Sequence, residues 1–121
     1  MKMLQEDIRN GSFKKVYLLF GDEAYLRTQY KNRLKEALVS SGDTMNQALF
    51  QGKNINPREI IDLAETLPFF ADRRYIGVED SGFFENKCEE LAAYLPEMPE
   101  STCLVFTETK VDRRGRLFKL V

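Results

Sequence analysis

The sequence predicts a three-layer α/β domain with a mainly parallel sheet. Two observations carry that prediction. Short apolar runs bounded by glycine or polar residues alternate with amphipathic helical stretches, and the chain length suits a single core. Parallel strands need a crossover long enough to bring the chain back to the same end of the sheet, so strand and helix patterns in alternation read as βαβ units. A chain of 121 residues can bury enough surface to stand without disulfides or metals. Hydrophobic residues make up 43% and charged residues 31%. That balance is ordinary for globular chains and sets aside disordered and fibrous classes.

The elements follow in order. "MLQEDIRNG" places Met3, Leu4 and Ile8 near helical spacing and stops at Asn10-Gly11, which reads as a short leading helix with a glycine end. "KVYLLFG" is a five-residue apolar run closed by Gly21 and suits a strand buried on both faces. From Asp22 to about Val39, the residues Leu26, Tyr30, Leu34, Ala37 and Leu38 form one helical face, with Arg27, Lys31 and Lys35 on the solvated side. "NQALFQG" is a weaker second strand. Asn56-Pro57 is a helix start signal, and Ile60, Ile61, Leu63 and Ala64 supply the apolar residues of the helix it opens. "RYIGVED" gives the third strand. A helix from about Glu85 to Tyr94 stops before Pro96, and "TCLVFTE" is the fourth strand. "DRRGRLFKLV" reads as the start of another helix with no stop signal, so the chain is expected to be cut from a longer one. No internal repeat and no low-complexity linker interrupts the pattern.

Composition narrows the function classes. A formal net charge of −1 gives no global attraction to nucleic acid or anionic lipid. The chain has no histidine, which removes the commonest general base and every Ser-His or Cys-His arrangement. Cys88 and Cys103 lie far apart with no histidine to join them in a zinc site, and they read as two reduced thiols. No apolar run approaches the roughly 18 residues needed to span a bilayer. The expectation is a cytoplasmic protein with no membrane partner.

In a doubly wound sheet, a phosphate sits where the first strand turns into the first long helix, because helix N-terminal amides and the dipole favour an anion. Here that junction reads "LLFGDEAYLRTQ". A phosphate loop needs GxxxxGK[ST], with glycines for close backbone approach, a lysine for the phosphates and a hydroxyl for magnesium. One glycine is present, no lysine stands at the required spacing, and Asp22 and Glu23 would cap the helix and repel a polyphosphate. Nucleotide binding at this junction is not expected. Glu79 and Asp80 end the third strand, where acidic residues in nucleotide hydrolases hold magnesium, but without the phosphate loop a solvated strand end is the plainer reading.

The stretch "LPFFADRR", Leu67 to Arg74, sets two phenylalanines behind a proline and two arginines after them. Core packing accounts for it, since apolar residues are mostly buried. So does a hydrophobic plug offered to a partner from a connection stiffened by Pro68. The pair Phe83-Phe84 reads as packing between strand and helix. Arg113, Arg114 and Arg116 form a basic cluster that reads as a solvated helix start, with nucleic-acid contact as the functional alternative.

Taken together, "YLLFGDEAYLRTQ", "LPFFADRRYIGVED" and "CLVFTETKVDRRGRLFK" resemble the N-terminal domain of the delta subunit of bacterial DNA polymerase III, part of the sliding-clamp loader. The resemblance runs over nearly the whole chain. It implies an AAA+-like, P-loop NTPase-type fold that lacks a functional P-loop, needs no cofactor and performs no catalysis within a DNA-directed DNA polymerase holoenzyme. Residues 1–121 would be the clamp-binding domain of a subunit that continues into a helical lid domain and a collar domain. By position, the resemblance puts the family's clamp contact on Phe69 and Phe70, with Leu67 and Pro68 shaping the approach and Arg73 near the rim. The implied partners are the beta sliding clamp and the other loader subunits, gamma/tau and delta prime, with DNA reached through the assembly. Two other function classes stay open: a phosphate- or nucleotide-binding α/β enzyme, and a DNA-binding module built on the arginine cluster.

Overall fold

Four strands, β1 (Val16–Phe20), β2 (Gln47–Gln51), β3 (Arg74–Glu79) and β4 (Thr102–Glu108), alternate with helices α1 (Ala24–Leu38), α2 (Pro57–Ala64) and α3 (Glu89–Tyr94). The structure is a computed structural model. It describes residues 6–7, 9–10, 13–20, 24–38, 46–68, 73–84, 88–109, 111 and 118. Among these, the four strands form one sheet in the order β1-β4-β3-β2, and every pairing is parallel.

Alternation along the strands sends side chains to two cores. Ile76, Val78, Leu104 and Phe106 meet Ile60, Ile61 and Ala64 of α2 and Leu91 and Ala92 of α3 on one face. Tyr17, Leu19, Tyr75, Cys103 and Val105 meet Leu34 and Leu38 of α1 on the other. This is the predicted three-layer arrangement. Phe84 packs edge-on against Phe106 with ring centroids 4.8 Å apart, and Phe83 lies half-buried beside it, so the second phenylalanine pair does pack between strand and helix.

The ends of the elements have local causes. Asn56 Oδ1 accepts from the Arg58 amide at 3.0 Å, and Pro57 occupies the first turn of α2, where its missing N–H costs nothing. α3 passes at Leu95 into a 3-10 turn ending at Glu97, and Pro96 lies within that turn rather than beyond it. Residues 6, 7, 9 and 10 are helical, as predicted for the leading segment, and Asp7 Oδ2 accepts from the Tyr17 hydroxyl at 2.7 Å. At the other end, Phe118 is helical and half-buried, with its ring edge-on to Phe20 at 5.9 Å. The expected helix start at Asp22 lies outside the described residues, and α3 begins at Glu89 rather than near Glu85, because Cys88 has a non-helical backbone and stands as its N-cap.

Three expectations need correction. β1, expected to be buried on both faces, is fully buried on one only, at the edge of the described sheet. Tyr17 and Leu19 are buried, while Val16, Leu18 and Phe20 are only half-buried. An apolar run reports that helices cover both faces of a strand, and it says nothing about strand neighbours. On α1, Leu26 and Ala37 are exposed although they belong to the predicted apolar face, and the buried residues are Leu34 and Leu38. Lys31 is not on the solvated side, because its ammonium reaches back to Glu79 of β3 at 2.8 Å. Among the described residues, no helix is long and apolar enough to cross a membrane.

Candidate functional site

The segment singled out by the sequence leaves α2 and enters β3 at the amino-terminal edge of the sheet. A helix end leaves carbonyls without intrahelical partners, and here they are taken up locally. The Glu65 amide donates to Ile61 O at 3.0 Å, and Thr66 donates to Leu63 O through its amide at 3.1 Å and its hydroxyl at 2.6 Å. Ala64 O accepts a buried bond from the Thr102 hydroxyl at 2.9 Å, which ties the end of α2 to the start of β4. On the far side of the segment, the Arg74 amide donates to Ser101 O at 2.7 Å. The Arg74 side chain turns back, and Nη2 donates to Leu67 O at 3.0 Å.

Leu67 stands at this base with 79% of its surface exposed, and Pro68 is half-buried. Arg73 is half-buried as well. Its guanidinium lies 5.4 Å from the centroid of the Phe13 ring, and Nη1 donates to Glu100 O at 3.3 Å. Leu67, Pro68 and Arg73 are thus brought to one edge. Phe69 and Phe70 lie outside the described residues, as do Arg113, Arg114 and Arg116. Sequence reasoning missed the residues that build the base, Arg74, Thr102 and Phe13. An arginine opening a strand as buried as "RYIGV" and a threonine opening "CLVF" were the available signals, since a polar group at such a position must find a partner.

The opposite end of the sheet carries the acidic residues. Glu79 accepts from Lys31 Nζ at 2.8 Å and from Gln51 Nε2 at 3.2 Å, so it is a tethered strand end rather than a solvated one. Asp80 takes a left-handed conformation at φ 50° and accepts from the Thr109 hydroxyl at 2.9 Å. Glu108, 1% exposed, accepts from the Ser81 amide at 3.3 Å and from the Ser81 hydroxyl, and burial pushes its carboxyl above the usual carboxylate range. Gly82, at φ 80°, makes the turn that follows, in a region open to glycine but strained for most residues. Among the described residues, no group of three or more acidic or thiol side chains is placed to hold a metal ion. Glu79, Asp80 and Glu108 are each committed to bonds within the protein. About 17 Å of strand, at roughly 3.3 Å per residue, separates this end from the Leu67 edge. Leu67 is therefore remote from the place where a doubly wound sheet binds nucleotides.

Comparison with known proteins places this geometry. Residues 17–121 match the family model described as DNA polymerase III, delta subunit. The curated DNA polymerase III subunit delta of Bacillus subtilis strain 168 is 25% identical over 126 residues, covering 94% of this chain and 36% of that protein. A solved structure of the Bacillus subtilis DNA clamp loader delta protein superposes with a TM-score of 0.85 at 25% identity, over 98% of this chain and 38% of that one. A DNA polymerase III gamma subunit-related protein from Thermotoga maritima superposes with a TM-score of 0.69 at 19% identity, over 88% of this chain and 39% of that one, and shares the fold. The chain spans little more than a third of the length of these relatives. With the family model matching residues 17–121 and the delta structure superposing over 98% of the chain, the fold is AAA+-like and the chain belongs to the DNA polymerase III delta subunit family.

Proposed function

We propose that residues 1–121 form the clamp-docking domain of a clamp-loader delta subunit, and that the segment from Leu67 to Arg73 is the docking element. The observation that carries this reading is Leu67. It is a large apolar residue left 79% exposed on a segment whose two ends are hydrogen-bonded to the fold, in a chain of the delta family. An exposed apolar side chain on a fixed base is the form of a plug, because little conformational freedom remains to be lost on docking. Phe69 and Phe70 are the inserted pair, Leu67 and Pro68 shape the approach, and Arg73 stands beside it. Burying one phenylalanine contributes about 1.5–3 kcal/mol, so two anchor a contact in the micromolar range or better once rim contacts are added.

The domain needs no chemistry of its own. A ligand shifts an equilibrium only by its differential affinity for two states, so a domain that opens a ring must bind the opened interface better than the closed one. The plug grips one clamp subunit while the neighbouring surface fails to fit the closed curvature. ATP binding by the other loader subunits governs access to this surface, and DNA is met through the assembly. The lid and collar domains of a full subunit would complete it.

Titration calorimetry against the sliding clamp of the same organism tests the reading. Wild-type binding that falls tenfold or more in folded Phe69→Ala and Phe70→Ala variants, about 1.4 kcal/mol each, supports it. A folded wild-type chain that gives no heat, alone or within the full-length subunit, overturns it.

A further inference from the structure

We infer that the cleft between α1 and β2 is a binding site for a small monocarboxylate with an apolar body, its carboxylate held by Lys35 and the Tyr75 hydroxyl. The cleft has a volume of about 390 Å³, and Lys31, Lys35, Gln47, Leu49, Tyr75 and Glu79 contribute to its walls. That is the size of a small-ligand site. It exists because α1 does not reach the outer edge of the sheet. Leu34 and Leu38 pack with Tyr17 and Leu19 of β1, Cys103 and Val105 of β4 and Tyr75 of β3, and among the described residues none of β2 joins that core. β2 is the outermost strand on this side of the described sheet. Its register sets Gln47 beside Tyr75, Leu49 beside Gly77 and Gln51 beside Glu79, all on the α1 face. Leu49 is left 55% exposed there.

Tyr75 is the residue that points to a ligand. It is 3% exposed, with its ring enclosed in the α1 core, yet its hydroxyl has no hydrogen-bond partner among the described residues. Gly77 leaves the space into which the phenol extends. The hydroxyl oxygen stands 2.8 Å from where a Cβ at position 77 would lie, alongside Leu49 of the neighbouring strand. A buried hydroxyl is unfavourable until something accepts from it. Burial, and then the nearby Glu79 carboxylate, raise its pKa above the ordinary phenol value, so it stays a neutral donor. Charge sets the sign of the ligand. Lys31 and Glu79 neutralise each other at 2.8 Å, while Lys35, half-buried one turn further along α1, has no ion pair among the described residues. One uncompensated ammonium and one donor hydroxyl suit a single carboxylate, and Leu49 offers its apolar surface to the rest of the molecule. A cation would meet net positive charge, and a phosphate dianion would exceed it.

Hexanoate is the probe, titrated into the protein and followed in proton–nitrogen correlation spectra. Saturable shifts of the Gln47, Leu49 and Tyr75 amides are expected, with hexanol and inorganic phosphate each binding at least about tenfold more weakly. Tyr75→Phe keeps the ring and removes only the hydroxyl, and Lys35→Gln removes the charge. Each is expected to weaken hexanoate about tenfold, the loss of one charge-assisted hydrogen bond, while amides away from the cleft keep their wild-type positions and report an intact fold. The two variants lie on different elements, so a folding defect in one leaves the other to decide. Absence of saturable shifts, equal binding of hexanol or phosphate, or undiminished hexanoate binding in the folded variants would overturn the inference. Tighter binding of acetyl-glutamate amide than of hexanoate would make a partner's acidic side chain the occupant and overturn the small-molecule assignment.

Discussion

The Lys31 ammonium lies 2.8 Å from Glu79 Oε2, joining the middle of α1 to the carboxyl end of β3. Both side chains are largely shielded, at 21% and 14% exposure, so the pair is screened less than an open surface bridge. Glu79 takes a second bond from Gln51 of β2, so one carboxylate links α1, β3 and β2. Lys31→Met is expected to lower the unfolding free energy by about 1 kcal/mol, with a coupling of similar size in the double-mutant cycle with Glu79→Gln. Urea unfolding of the four proteins measures it. Additive losses would show that the two groups act independently.

Gly77 lies in the middle of β3, beside Tyr75 on the same face of the sheet. A Cβ at position 77 would come 2.8 Å from the Tyr75 hydroxyl oxygen and 3.1 Å from the ring. Tyr75 is itself enclosed in the α1 core, so the ring has little room to retreat. Gly77→Ala is therefore expected to cost about 1–3 kcal/mol despite the better strand propensity of alanine. A thermal melt that is unchanged or raised would show that the ring moves aside freely.

The Glu108 carboxyl has its folded-state pKa raised from an ordinary 4.5, chiefly by burial, against the opposing effect of the Ser81 hydrogen bond. A carboxyl raised in the folded state holds its proton longer there than in the unfolded chain. Its contribution is therefore most favourable below 4.5 and is lost as pH rises through the higher folded value. Glu108→Gln keeps an acceptor for Ser81 and carries no charge. The stability of this variant relative to wild type is expected to improve as pH rises across that interval and to level off above it. Guanidinium unfolding of both proteins over the interval tests this, and a constant difference would refute it.

Cys103 is fully enclosed in β4 between the sheet and α1, and burial pushes its thiol up to about 12. Thiolate is the reactive species, so a thiol reagent should modify Cys103 only through opening of the core, at a rate that rises with denaturant. Half-buried Cys88, also raised by burial, should react ahead of it. Mass spectrometry of timed labelling distinguishes the two sites. Equal rates in native buffer would mean that the β4 core opens readily.

The sequence determined the fold class, because four apolar runs alternating with helical patterns leave little besides a parallel sheet with helices on both faces. It also determined that the first strand–helix junction lacks a phosphate loop, since that chemistry needs particular residues at particular spacing. Phe83-Phe84 was readable as packing for the same reason, as a short-range pattern beside a strand end. Tertiary structure decided what depends on residues distant along the chain. It left one face of β1 half-buried, turned Lys31 from solvent to Glu79, and set Thr102 and Ser101 under a segment that begins some thirty-five residues earlier. The sequence marked "LPFFADRR" as a stretch to explain, and its one hint that Arg74 faces inward was an arginine opening a buried strand. Periodicity records which face of an element a residue occupies. Hydrogen-bond partners across the sheet are set by register and strand order, which no local pattern encodes.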